Sequence, residues 1–316
     1  MVKKIALEEH VLTPGMIDYW RPTMTTVPPA LTADLFKRLN DFGDVRLETM
    51  DKSGIARAVL SVAGPGVQAE RDAVVATRKA REANDHLAVE IQKRPDRYAG
   101  FAHIAVQDPK AAADELERCV RDLKFCGAMI NGHTHGIYLD HPSLAPFWER
   151  AEALGALIYL HPADPVVPLS VLDGYPALGR PMWGWGVETG SHALRMVVGG
   201  LFDRFPKARL ALGHLGETLP FLLWRFDSRA KFQGLSLRKP PSQYIRENIW
   251  VTISGMLSAE PLKCSLDALG RDRVMFGADY PFEDMAEAGH FLDTVEIEES
   301  LRADVGYNNA AKLLGF

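Results

Sequence analysis

The chain has 316 residues, 47% of them hydrophobic and 24% charged, a balance that suits a globular protein with a large buried core. A formal net charge of −5 and the lack of any dense Lys/Arg block argue against nucleic acid or an anionic membrane as the main partner. Cys119, Cys126 and Cys264 cannot all pair and share no CxxC spacing, and no apolar run nears the ~20 residues that span a bilayer. A reduced, cytoplasmic setting is the expectation.

In chain order, the first strand is expected over residues 3–10, ending in Glu8-Glu9-His10, without the longer apolar stretch of a signal peptide. Residues 12–44 exceed ordinary loop lengths and lead to a second strand at 56–63. A helix over 73–93 ends before Pro95, and a third strand spans 98–106. Asp108-Pro109 supplies an N-cap and a first helical position for a helix over 110–123. Strand four at 126–132, a helix over 146–154 stopping at Gly155, and strand five at 156–161 follow. A second long stretch, 163–189, precedes a helix over 192–205. Then come strand six at 208–213, a helix over 218–230, strand seven at 249–254 and a helix over 260–269. Strand eight at 274–279, a helix over 284–294 and a closing helix over 298–314 complete the chain.

Most of these strands are nearly continuous apolar runs, as in a parallel sheet buried on both faces. The alternation predicts an α/β fold, a (β/α)8 TIM barrel, with residues 1–316 as a single domain. The two long stretches follow strand ends and are expected to lie over the C-terminal face. An open doubly wound sheet is the alternative, disfavoured in its nucleotide-binding form because no GxGxxG turn and no P-loop occur.

Polar residues fall where a barrel would gather them. Strand one ends in Glu8-x-His10, strand four in Asn131, strand five in His161, strand six in His214 and strand eight in Asp279. Period-two alternation puts Glu8 and His10 on one strand face. Taken singly, each has an ordinary structural explanation: a core histidine, a helix cap, a turn former. Jointly, imidazoles and carboxylates at strand ends sharing one mouth are costly unless something pairs with them, and a metal ion is the simplest common partner. In binuclear barrel hydrolases a carboxylated lysine commonly bridges two metals at the fourth strand end; here that position is Asn131, so one metal is expected. Two nitrogens and two carboxylates suit Zn2+ best, with Mn2+ or Mg2+ as alternatives. His103 reads as a hydrogen-bonded core residue, His86 and His290 as packing or solvent-facing ones, and His133 and His135 as loop residues at the mouth.

The ALEEH opening, the YLHP, GHLGE and FGADYPFE motifs, and PFLLWRFD after strand six together resemble the amidohydrolase-2 family. Within it the opening is similar to that of nonoxidative hydroxybenzoate decarboxylases, such as those acting on γ-resorcylate, 2,3-dihydroxybenzoate and 5-carboxyvanillate. INGHTHGIYLD resembles most the 5-carboxyvanillate type, whereas Glu8-x-His10 matches the γ-resorcylate type. The resemblance spans essentially the whole chain and is weakest over residues 12–44. It implies that Glu8, His10, His161 and Asp279 hold the metal, that His214 and Glu217 form a catalytic pair with Asp279, and that Arg225 lies near the substrate. Asn131 is the other candidate substrate contact. The implied activity is metal-dependent decarboxylation of a small ortho-hydroxybenzoate without an organic cofactor, in a homo-oligomer. The alternative is metal-dependent hydrolysis of a lactone or amide; a non-enzymatic metal-binding scaffold is the bland reading.

Overall fold

A computed structural model describes residues 1–316. Eight strands run in sequence order around one sheet: β1 (Lys4–Val11), β2 (Ile55–Val62), β3 (Tyr98–His103), β4 (Gly127–Asn131), β5 (Leu157–His161), β6 (Arg209–Leu212), β7 (Ile249–Thr252) and β8 (Val274–Met275). All seven neighbouring pairs are parallel. The edges meet where Leu7 N–H donates to Phe276 O at 3.2 Å and His10 N–H donates to Tyr280 O at 2.7 Å. This is the expected TIM barrel.

The alternation of side chains along each strand sorts two cores. Inward-facing Ile5, Leu7, Val59, Phe101, Met129, Leu157, Tyr159, Ala211 and Met275 fill the barrel, and Ala310 of the C-terminal helix Asn309–Leu314 packs with them. Outward-facing residues such as Leu60, Ile130, Ile158, Leu210 and Val251 meet the surrounding helices in the largest cluster. Helix boundaries follow local chemistry. Asp108 accepts from the N–H groups of Lys110 and Ala111, with Pro109 at the first helical position, so Pro109–Arg121 starts where the sequence indicates. Gly155 closes Ala145–Leu154 in the left-handed conformation, φ 62°.

The two long stretches are not bare loops. Residues 12–43 contain the helices Ile17–Trp20 and Pro29–Leu39, whose Trp20, Leu35 and Leu39 join Leu12, Val62, Ala76 and Ala80 in a satellite core. In the second stretch the helix Gly184–Val198 begins eight residues before the expected position 192. Arg180 ties the stretches together: it donates to Thr23 O at 2.5 Å and pairs with Asp164 at 2.9 Å. No helix is long and apolar enough to cross a membrane.

Candidate active site

The strand ends bring Glu8, His10, His161 and Asp279 together, with one ligand-type atom from each lying within 4.8 Å of all the others. Parallel register carries the arrangement across the sheet, pairing His10 with Ser61 and Asn131 with His161. His161 Nδ1 lies 3.0 Å from Pro162 O, so that nitrogen carries the proton and Nε2 presents its lone pair 3.5 Å from Glu8 Oε1. His10 Nδ1 lies 3.3 Å from Ser61 Oγ, and its Nε2 faces Asp279 Oδ1 at 3.1 Å. Glu8 Oε1, His10 Nε2 and Asp279 Oδ1 are all buried and without a hydrogen-bond partner.

That set fits a metal ion. Buried acceptors facing each other without donors are costly, and a cation placed among them satisfies all of them at once. The protonation states agree. Burial lowers His10 and His161 to about 4, which keeps both imidazoles neutral and able to ligate. Burial opposes ionisation of Glu8, but the charge of His214, helped by the hydrogen bond from Ser254, outweighs it and keeps the carboxyl below its ordinary range. Asp279 differs: burial, then the Glu8 carboxylate, raise it to about 7.

Beside this cluster stands His214, on a turn of unusual hand. His214, Leu215, Gly216, Glu217 and Thr218 all have positive φ, at 49°, 55°, 86°, 52° and 67°. Left-handed backbone costs a non-glycine residue roughly 1–2 kcal/mol, so the turn depends on its surroundings. Buried Leu215 and Glu217 and the bond from Ser265 Oγ to Leu215 O, 3.1 Å, hold it. The helix Gly184–Val198 packs against it through Gly190, where a methyl group would lie 2.9 Å from Glu217 O. The turn brings His214 Nδ1 to 2.6 Å from Glu217 Oε1. Burial alone would lower His214; the charge and hydrogen bond of Glu217, with Glu8 and Asp279, reverse this and raise it to about 10. The contact with Glu217 thus favours the charged form of His214, in which the ring donates hydrogen bonds. The expected helix over 218–230 instead starts at Leu223, in Leu223–Phe232, after this turn and a short 3-10 segment.

The remaining candidates separate clearly. Asn131 is buried, and neither its Oδ1 nor its Nδ2 has a partner. Its backbone is clamped by Gln68, whose Oε1 accepts from Asn131 N–H at 2.6 Å and whose Nε2 donates to Asn131 O at 3.1 Å. Arg225 lies exposed on Leu223–Phe232 and makes no hydrogen bond or ion pair in the chain. His133 and His135 are bound to the carbonyls of Asp164 and Glu70 at 3.0 and 2.8 Å and stay outside the cluster. His103 is a core residue whose Nε2 accepts from Val67 N–H at 2.9 Å.

Residues that drew no notice in the sequence support the site from behind. Tyr159 Oη donates to Glu8 Oε2 at 2.6 Å, and Ser254 Oγ donates to the same oxygen. Ala278 N–H donates to Glu9 Oε1 at 2.9 Å, and the buried Arg46 donates to His10 O at 2.7 Å, pinning the β1–β8 seam. Tyr159 precedes His161 by two residues and so shares its strand face, a period-two signal that was available.

The amidohydrolase family model matches residues 36–316. The chain is 40% identical to the γ-resorcylate decarboxylase of Rhizobium sp. (strain MTP-10005), an alignment covering 99% of this chain and 98% of that protein. Its structure is similar to that of a 2,6-dihydroxybenzoate decarboxylase complexed with 2,6-dihydroxybenzoate, with TM-score 0.95, 39% identity and 100% of each chain covered. It is similar too to a dihydroxybenzoic acid decarboxylase from Polaromonas sp. JS666 with bound manganese and the inhibitor 2-nitroresorcinol. That match has TM-score 0.93 and 38% identity, and covers 100% of this chain and 97% of the other.

Proposed function

The chain belongs to the amidohydrolase family, and we propose that it is a metal-dependent, nonoxidative decarboxylase of an ortho-hydroxybenzoate. The observation that carries the reading is the pairing of two features at one barrel mouth. One is a set of unpartnered ligand atoms from Glu8, His10, His161 and Asp279. The other is the His214–Glu217 pair, 2.6 Å apart, standing beside Asp279, whose carboxyl burial pushes upward.

The four residues would hold one divalent ion, which as a Lewis acid and template favours an aromatic acid that chelates through its carboxylate and ortho oxygen. Mn2+, the ion in the Polaromonas structure, suits a mixed set of two imidazoles and two carboxylates; Zn2+ is the alternative. His214, oriented by Glu217, donates to the phenolic oxygen and holds the ring in place. Asp279 Oδ1 faces the ligand cluster, so Oδ2 is the atom that carries the proton. Asp279 transfers that proton to the ring carbon bearing the carboxylate. The bond from that carbon to the carboxylate then breaks, its electron pair restores the aromatic ring, CO2 leaves, and solvent returns a proton to Asp279. No electron acceptor is consumed, so no organic cofactor is called for. Asn131, buried with a free amide beside the ligand strand β5, is the candidate that would hydrogen-bond a ring substituent. Arg225, exposed and without a partner in the chain, is the other candidate substrate contact.

The reading takes residues 1–316 as one catalytic domain, cytoplasmic and homo-oligomeric. Exposed aromatics support the last point: Phe221 is 79% exposed, Trp224 77% and Phe232 77%, three large rings within one short stretch of chain that a partner subunit would cover. The deciding assay measures CO2 from ortho-hydroxybenzoates beside hydrolysis of lactones and amides. CO2 release that requires the ortho hydroxyl supports the reading; hydrolysis alone, or equal turnover of benzoates lacking that hydroxyl, overturns it.

A further inference from the structure

The two oxygens of Glu8 have opposite surroundings. Oε1 is buried and unpartnered, 3.5 Å from His161 Nε2, on the side of the ligand cluster. Oε2 accepts from Tyr159 Oη at 2.6 Å and from Ser254 Oγ. Thr252 Oγ1 lies 2.7 Å from each of these hydroxyls and, with both of their protons turned to Glu8, donates its own to one of them. Tyr159, Thr252 and Ser254 are each 0% exposed, so water offers Oε2 no substitute. The end of β6 shapes the same spot: a methyl group on Gly213 would lie 2.8 Å from Oε2 and 3.2 Å from Oε1. Rotating the carboxylate would strip two buried hydroxyls of an ionised acceptor, a strong class of hydrogen bond.

We propose that Tyr159 and Ser254 are positioning residues that hold Glu8 Oε2 away from the metal, so that Glu8 gives one oxygen only and leaves room for a chelating substrate. The inference rests on the metal-dependent decarboxylase reading and deepens it. Carboxylates bind metals through one or both oxygens when unrestrained. An ion of octahedral habit, given one atom from each of four residues, would have two positions left for the oxygens of an ortho-hydroxybenzoate. A second oxygen from Glu8 would take one of them. Retention of the metal and retention of the substrate are therefore separable in this site, and Tyr159 and Ser254 govern the second.

The test uses full-length wild type, Tyr159→Phe and Ser254→Ala, stripped and reloaded with Mn2+. Metal binding is followed by calorimetry and electron paramagnetic resonance, then salicylate and benzoate are titrated into each loaded protein. All three proteins should bind one Mn2+. The variants should show an altered Mn2+ line shape and bind salicylate about tenfold more weakly, the loss of one charged hydrogen bond. Benzoate, which cannot chelate, should change little, and in turnover the loss should fall on KM more than on kcat. Unaltered line shape with an unaltered ratio of salicylate to benzoate affinity in the variants overturns the proposal. Failure of the wild type to bind Mn2+ overturns the metal reading beneath it, a result distinguishable because it needs no variant. If Tyr159→Phe does not fold, Ser254→Ala, which removes the other donor with a smaller change of volume, carries the same comparison.

Discussion

His10 Nε2 and Asp279 Oδ1 lie 3.1 Å apart, and neither has a hydrogen-bond partner. With the His10 proton on Nδ1, two acceptors face each other in a buried space, an arrangement a cation stabilises. Purified protein should therefore carry about one divalent metal per chain, as read by elemental analysis. Saturating metal at a hundredfold excess over Kd should add roughly 2.7 kcal/mol to stability by linkage. His161→Ala should lose metal and activity together. Two tightly bound metals per chain would contradict the argument from Asn131 at the end of β4.

Asp279 is asked to ligate through one oxygen and to deliver a proton from the other. Asp279→Asn keeps the shape and one oxygen donor but removes the transferable proton. The rate should fall by roughly 10²–10⁴-fold, the usual loss for a general acid, while much of the metal and the substrate affinity survive. In deuterated water the wild type should place deuterium at the carbon that lost CO2. A near-normal rate in Asp279→Asn would move the donor elsewhere, with His214 next.

Glu217 holds His214 in its charged form across a 2.6 Å contact. Glu217→Gln keeps a hydrogen-bond acceptor but removes the charge, so burial regains its hold and the pKa of His214 falls from about 10. A group with a raised pKa is charged below that value and loses its proton as pH rises through it. The alkaline limb of kcat/KM should therefore move to lower pH in the variant, and an NMR titration of His214 should follow it. An unmoved limb would mean that the imidazolium plays no part in binding or turnover.

Why some of this site was readable in the sequence follows from its physics. Glu8 and His10 stood out because strand alternation is a rigid rule and polar residues ending apolar runs are rare. Tyr159 and Ser254 obey the same rule, but each passes as an ordinary strand residue until the carboxylate it touches is seen. The left-handed turn at His214–Thr218 was not readable. Leu215, Glu217 and Thr218 have no local preference for positive φ, and only the packing of Gly190 and Ser265 imposes it. The early start of Gly184–Val198 was hidden for a related reason. Gly184, Gly186 and Gly190 weaken the helical signal in the very segment that must approach Glu217 closely. In residues 12–43 the helices Ile17–Trp20 and Pro29–Leu39 bury only Trp20, Leu35 and Leu39, and Pro22, Pro28 and Pro29 break the run that would have marked them.

His103 supplies a test of the scaffold apart from the chemistry. Burial lowers it from 6.5 to about 4, and its Nε2 accepts from Val67 N–H, so the folded state holds it neutral. Above pH 6.5 neither state binds the proton, and His103 has no effect on the pH dependence. Between 6.5 and about 4 the unfolded chain takes up a proton that the folded chain refuses, so stability falls with falling pH by roughly 1.4 kcal/mol per unit. His192, lowered to about 3 by burial and then by Arg195 and His133, acts in the same direction. His103→Gln keeps a side-chain acceptor but cannot titrate. Denaturant unfolding of metal-stripped protein at pH 7 and pH 5 isolates the difference, because the ligand histidines contribute to both proteins alike. The variant should be the less stable at pH 7, where the native packing of the ring is lost. It should close that gap by roughly 2 kcal/mol at pH 5. Identical pH slopes for the two proteins would show that His103 takes up its proton without unfolding, against the burial that surrounds it.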